Sequence, residues 1–161
     1  MPIILLFISL LLLGPAQAQT SGPAKGTLVI VGGNDKDRLC FNRFVKLAGG
    51  KDARIVVVTT ASSSSEKYDY LNGTKIQAMR KTMGLTQFRA LHTHDRSVAD
   101  TEEFVEPLKK ADAVWFTGGR QWRLVDAYAG TRTEKAFKEL LARDGVIGGS
   151  SAGATIQGSF L

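Results

Sequence analysis

The chain has 161 residues, with 21 Lys plus Arg against 15 Asp plus Glu, a formal net charge of +6 and 43% hydrophobic residues. That is enough for one modest domain with its own core, and the cations are scattered among acids without interleaved aromatics, which argues against nucleic-acid binding. Cys40 is the only cysteine, so an intrachain disulfide is excluded.

Residues 1–18 read as a secretory signal peptide. Residues 3–13 are almost wholly apolar, Gly14-Pro15 breaks the run, and Ala16-Gln17-Ala18 supplies small residues before a cleavage site between Ala18 and Gln19. No Lys or Arg precedes the apolar run, which is unusual for such a segment. A membrane span needs ~18 or more apolar residues, so export without a retained membrane anchor is expected. Residues 19–26 form a short polar leader.

After the leader, strand-like and helix-like stretches alternate. Residues 27–31 form a β run ending in Gly32-Gly33, and a helix follows over 36–48. Cys40, Phe44, Leu47 and Ala48 fall on one face of that helix, so Cys40 is expected to be a buried thiol. A second β run over 54–60 closes in the tract Ser62-Ser63-Ser64-Ser65, read as a mobile loop on the active rim. A helix over 68–83 ends at Gly84, and residues 87–92 read as a third strand. Asp100 with Glu103 suggests a capping box for the next helix, which Pro107 should bend or shorten. Residues 113–117 form a fourth strand, ending in Gly118-Gly119. Helices over 121–128 and 133–143 follow, the second with Thr131 and Glu134 as another capping box. Residues 145–149 form the fifth strand.

Strands two, four and five are continuously apolar, as in a parallel sheet buried on both faces. Repeated βα units of this kind predict a doubly wound, mainly parallel α/β fold with helices on both faces, binding ligands beyond the carboxyl ends of the strands. Glycine pairs stand at three of those ends: Gly32-Gly33, Gly118-Gly119 and Gly148-Gly149. They suggest backbone built to approach a ligand closely.

The fifth strand leads into Gly149-Ser150-Ser151-Ala152-Gly153, a G-x-S-x-G pattern. Glycines bracketing a serine suit a strained strand-to-helix turn that lifts the hydroxyl above the sheet, beside a helix N-terminus that favours developing negative charge. The alternative is a glycine-rich loop whose serine caps the helix. A nucleophilic serine also needs a base and an acid to orient it. His92 and His94 are the only histidines. At ~4.8 Å per strand, the third strand places them roughly 10 Å or more from Ser151, too far for that role. They could share a face and hold a metal, but no metal and no cofactor are expected. Neither G-x-G-x-x-G nor G-x-x-x-x-G-K occurs, so a nucleotide site is not indicated. The last residues continue the helix launched by Ser151 without a capping glycine, as in a C-terminally truncated domain.

Three ordered motifs carry a resemblance: Val31-Gly32-Gly33, Phe116-Thr117-Gly118-Gly119-Arg120-Gln121, and Gly149-Ser150-Ser151-Ala152-Gly153-Ala154. Over residues 25–161 the chain resembles the cyanophycinase and dipeptidase E group, the S51 serine peptidases. The resemblance implies a class I glutamine-amidotransferase-like fold with serine replacing the amidotransferase cysteine. It also implies cleavage of peptide bonds next to aspartyl residues, including β-linked aspartyl-arginine units. Carried over by position, Ser151 is the nucleophile, the N–H groups of Gly119 and Ala152 form the oxyanion hole, and Gln121 binds substrate. The family's catalytic histidine and its acidic partner follow the serine, so the resemblance implies that these 161 residues lack both. Cyanophycinases usually have aspartate where this chain has Arg120, which reverses a charge and opens the question of substrate. Arg120 and Arg123 could select a free carboxylate, or simply form a solvated helix start. The expected partner is an aspartate-containing peptide substrate, and self-association into a homodimer is left open. The competing readings are an amidotransferase-like hydrolase of unrelated substrate and a non-catalytic binding domain.

Overall fold

The computed structural model describes residues 22–158 except 34, 36, 37, 64–73 and 83. The signal segment, most of the leader, Ser64-Ser65 and the first half of the helix expected over 68–83 lie outside the described residues. In chain order the elements are β1 (Thr27–Val31), α1 (Leu39–Leu47), β2 (Ile55–Val58), α2 (Thr74–Thr82), β3 (Phe88–Leu91) and α3 (Arg96–Ala99). They continue with α4 (Glu102–Lys110), β4 (Ala113–Phe116), α5 (Gln121–Tyr128), α6 (Arg132–Ala142), β5 (Val146–Ser150) and α7 (Ala152–Thr155).

The five strands form one parallel sheet in the order β1-β5-β4-β2-β3. The register pairs Thr27 with Val146, Val146 with Ala113, Ala113 with Ile55 and Ile55 with Phe88. Every residue of β2 and β4 is buried, as their uninterrupted apolar runs require. Alternate residues serve opposite layers. Ile55, Val57, Ala113, Trp115 and Val146 face α1, while Val56, Val58, Val114, Phe116 and Ile147 face the layer of Leu108, Leu124 and Leu140. This is the doubly wound α/β architecture.

The layer on α1 is organised by aromatic rings. Trp115 meets Phe41 edge-on at 4.8 Å and Phe44 at 5.0 Å between centroids. These contacts correct the expected face of α1: Phe41 and Phe44 are its buried residues, Cys40 is only half-buried and Leu47 is 38% exposed. Gly148 belongs to the same packing. A Cβ there would stand 2.6 Å from the Trp115 ring and 2.7 Å from that of Phe44. It lies inside β5, and the sheet needs it bare to seat these rings rather than to admit a ligand.

Several boundaries differ from the sequence expectation for local reasons. Helix α1 begins at Leu39 because Arg38 takes a left-handed φ of 54°, and Asp35 caps it from outside by accepting from the N–H groups of Cys40 and Phe41. Asp100 does not cap α4. It ends the short helix α3 and accepts from the Arg132 N–H, while Thr101 caps α4 by accepting from the Phe104 N–H at 3.2 Å. Pro107 sits inside α4 without shortening it. Thr131 precedes α6 as expected, but its hydroxyl donates to the Tyr128 carbonyl and Glu134 accepts from the Gly130 N–H, so the two form no capping box. Helix α3 was not anticipated; its signal is Asp95, whose carboxylate accepts from both the N–H and hydroxyl of Ser97.

Candidate active site around Ser151

Because all five strands are parallel, their carboxyl ends lie along one edge of the sheet. Ser151 sits there, between the ends of β1 and β4. It has φ 54° and ψ −117°, a conformation that non-glycine residues rarely adopt. Its N–H donates to the Val31 carbonyl at 2.9 Å, and its carbonyl accepts from the N–H groups of Ala154 and Thr155 and from the Thr155 hydroxyl. The backbone is therefore pinned from both sides. The side chain is exposed and makes no capping hydrogen bond to α7, whereas Ser150 is half-buried in β5. The reading of Ser151 as a simple helix cap is thus excluded by geometry.

Glycine is required at the bracketing positions because backbones touch there. A Cβ on Gly149 would lie 2.3 Å from the Gly153 carbonyl oxygen, and one on Gly153 would lie 2.2 Å from that of Phe116. The turn can form only if both residues lack side chains. Ala152 is buried and begins α7 directly after Ser151. Its N–H belongs to the first turn, where backbone donors have no intrahelical acceptor.

The loop after β4 closes the other side. A Cβ on Gly118 would meet the Ser151 Cβ at 3.3 Å and its Oγ at 3.8 Å. Gly119 follows with φ +147°, and a Cβ there would fall 2.1 Å from the carbonyl oxygen of Ala61. Arg120 and Gln121 are exposed at the start of α5, and Arg120 donates its N–H to the Ala61 carbonyl at 2.8 Å. Arg123 is placed differently from a free carboxylate clamp. Its Nη1 donates to Ala61 at 3.1 Å, and its guanidinium lies over the Trp122 ring at 5.1 Å.

The rim continues through the ends of β2 and β3. Thr60 Oγ1 and the Tyr128 hydroxyl are 2.5 Å apart, and the Thr93 N–H donates to the same Thr60 oxygen. Burial pushes the Tyr128 phenol above its ordinary range, against a smaller opposing effect of the Thr60 hydrogen bond, so Tyr128 remains a neutral brace between α5 and the sheet. His92 Nδ1 lies 3.2 Å from Thr59 Oγ1, and His94 Nε2 donates to the Thr60 carbonyl at 2.9 Å. The two rings meet edge-on at 4.8 Å. Strand β3 lies three positions from β5, about 14 Å at the usual strand spacing, so neither histidine is brought to Ser151. Among the described residues no group of three or more His, Cys, Asp or Glu is placed to hold a metal ion. A cavity of about 250 Å³ opens beside this rim, lined by Ser63, His94, Trp122, Arg123 and Asp126.

Residues 28–160 match Peptidase family S51. The chain belongs to peptidase family S51. Its S51 relatives include the cyanophycinase of Geminocystis herdmanii, 31% identical over 134 residues, which cover 81% of this chain and 48% of that protein. The cyanophycinases of Synechococcus elongatus and Thermosynechococcus vestitus are each 27% identical over 138 residues, covering 83% of this chain and 42% of theirs. The chain thus spans about half the length of the curated relatives it matches. Among solved structures, a peptidase from an acI-B1 Actinobacterium shares the fold with a TM-score of 0.66 at 24% identity, over 81% of this chain and 55% of that one. A Listeria monocytogenes EGD-e protein assigned as a peptidase E has a TM-score of 0.56 at 25% identity, over 81% and 61% respectively.

The carbonyl of Ala61, where Gly119, Arg120 and Arg123 converge, is absent from any reading of the sequence. A backbone oxygen leaves no mark on residue type. The nearest available signal was Gly119 itself, whose bare α-carbon the contact demands.

Proposed function

We propose that this S51 chain carries the nucleophile of a serine peptidase that cleaves aspartyl peptides, including β-linked aspartyl-arginine, through an acyl-enzyme on Ser151. The observation that carries the reading is the Ser151 turn: a strained, exposed serine not used for capping, held between the ends of β1 and β4. In the first step the Ser151 Oγ attacks the aspartyl carbonyl carbon and gives up its proton to a base. The C–N bond then breaks, and the leaving amine takes a proton. Water next hydrolyses the ester, releasing the aspartyl product and restoring the serine. The N–H groups of Gly119 and Ala152 serve as the oxyanion donors, one from each loop flanking the serine. Gln121 and Arg120, at the exposed start of α5, bind the substrate, with Arg120 matched to a carboxylate. The family pattern assigns the base and its acidic partner to positions after the serine, and the distance of His92 and His94 supports that assignment over either of them. The apolar run at residues 3–13 supports export of the protein.

The test is release of free arginine from a β-aspartyl-arginine dipeptide by the protein extended through the base and acid that the family places after the serine. It is run beside α-linked aspartyl dipeptides, the 161-residue chain, which should show little or no turnover, and a Ser151→Ala variant of the extended protein. Turnover that Ser151→Ala abolishes supports the reading. Ser151-dependent turnover confined to non-aspartyl amides would favour the amidotransferase-like hydrolase, and turnover independent of Ser151 would overturn the nucleophile assignment.

A further inference from the structure

We infer that Arg123 is a positioning residue for this chemistry, holding the Gly118-Gly119 turn in place through the carbonyl of Ala61. The inference rests on the reading of Gly119 as an oxyanion donor. Ala61 is fully buried three residues beyond the end of β2, where the Ser62 N–H donates back to the Thr59 carbonyl and turns the chain. Three groups from the β4–α5 connection converge on its oxygen. The α-carbon of Gly119 packs directly against it, since a Cβ there would be 2.1 Å away. The Arg120 N–H donates to it at 2.8 Å, and Arg123 Nη1 donates at 3.1 Å. The two bonds use both lone pairs of the carbonyl, and the one from Arg123 is charge-assisted and therefore the stronger kind.

Arg123 is itself fixed from two sides. It is half-buried, its N–H bonds back to the Arg120 carbonyl at 3.2 Å, and its guanidinium stacks at 5.1 Å on the indole of Trp122. Trp122 is itself 54% exposed, and its ring covers one face of the guanidinium and limits its rotamers. The mechanical line runs from the Arg123 guanidinium to the Ala61 carbonyl by a hydrogen bond, from Ala61 to Gly119 by backbone packing, and from Gly118 to Ser151 by close approach. Without Arg123, the Ala61 oxygen keeps only the Arg120 N–H, and the turn against Ser151 gains freedom. Oxyanion donors act by being aimed before the reaction, so loosened aim reduces kcat more than substrate binding.

The experiment compares Arg123→Met and Arg123→Lys with the wild-type protein, each extended through the base and acid that the family places after the serine, on aspartyl-arginine dipeptide, alongside unfolding temperature and the exchange rate of the Arg120 amide. Arg123→Met should lower kcat by about 10- to 100-fold with KM within about twofold, and the Arg120 amide should exchange faster. Arg123→Lys should recover part of kcat, because its ammonium can still donate to Ala61 although it cannot stack on Trp122 as guanidinium does. A kcat for Arg123→Met within about twofold of wild type would overturn the inference, as would a loss expressed in KM alone. If the wild type shows no Ser151-dependent turnover, the proposed function fails and the exchange rate decides the clamp by itself: faster exchange in Arg123→Met keeps it, and unchanged exchange removes it.

Discussion

The α-carbon of Gly153 lies directly on the backbone of Phe116: a Cβ built on Gly153 would stand 2.2 Å from the Phe116 carbonyl oxygen and 2.8 Å from its Cβ. The first turn of α7 is thereby seated on the end of β4, and Ser151 is held at a fixed height above the sheet. The approach involves backbone on both sides, so no rotamer change can relieve an added methyl.

Gly153→Ala should therefore destabilise the protein by about 1–3 kcal/mol, the range for overpacking a tight contact, and should displace Ser151 as well. Urea unfolding of the two proteins measures the first effect. An unchanged midpoint would mean that α7 can ride away from β4 at little cost, contrary to the contact.

Ser151 itself holds strain. A non-glycine residue outside the favoured backbone regions costs about 1–3 kcal/mol, while glycine adds up to about 1 kcal/mol of unfolded-state entropy. Ser151→Gly should thus be more stable than wild type by about 1 kcal/mol, whereas Ser151→Ala keeps the strain and should unfold near the wild-type midpoint. Both variants should lack Ser151-dependent hydrolysis. Equal midpoints for Ser151→Gly and Ser151→Ala would show that the φ of 54° is not held in solution.

The parts of this fold that were legible in the sequence are those whose burial is two-sided. β2 and β4 announce themselves as unbroken apolar runs because both faces are covered, and Gly149 and Gly153 announce the Ser151 turn because backbone contact forbids any other residue there. Cys40 shows the limit of helical periodicity. A stripe through Cys40, Phe44 and Leu47 and one through Phe41 and Phe44 both fit a helix, and only the position of Trp115 across the layer decides between them. Gly148 was ambiguous for a related reason, since a glycine that admits a ligand and one that admits an indole look alike in sequence. The Asp100–Glu103 box failed because Thr101 offers a competing cap one residue later, and the outcome depended on the short α3 absorbing Asp100.

Arg54 and Asp112 tie the start of β2 to the start of β4, with Nη2–Oδ1 at 2.5 Å, Nε–Oδ2 at 3.0 Å and the Arg54 N–H donating to Oδ2 at 2.8 Å. The Arg54 hydrogen bonds, chiefly that of its side chain, hold the Asp112 carboxyl below its ordinary range. Folded Asp112 thus binds a proton less readily than unfolded Asp112. Its contribution is complete above the ordinary carboxylate pKa of ~3.9 and is lost as pH falls through the lower folded value. The side chains are 52% and 35% exposed, so solvent screening keeps the pair's contribution small. The difference in unfolding free energy between wild type and Asp112→Asn should be constant near neutrality, shrink as acid protonates Asp112, and weaken with added salt. A difference that persists unchanged to strong acid would assign the effect to packing instead.

Gln121 and Arg120 provide the sharpest test of the proposed substrate. Both are exposed and immediately follow Gly119, and among the described residues neither side chain has a hydrogen-bond or ion-pair partner. Their polar groups are therefore available to a ligand at no cost in lost internal bonds. Gln121→Ala should lower kcat/KM for aspartyl peptides by about 5- to 150-fold, corresponding to about 1–3 kcal/mol for a hydrogen bond to a charged group, with the unfolding midpoint unchanged. Arg120→Asp should shift preference among substrates without abolishing hydrolysis, because reversing the charge removes a carboxylate partner and leaves the Ser151 turn and the Ala61 contact, a backbone bond, intact. The measurement is kcat/KM for each variant across peptides that differ in the charge of the group flanking the scissile aspartyl bond. If both variants match wild type on every peptide, the start of α5 does not touch substrate, and the β4–α5 connection serves Ser151 through Gly118 and Gly119 alone.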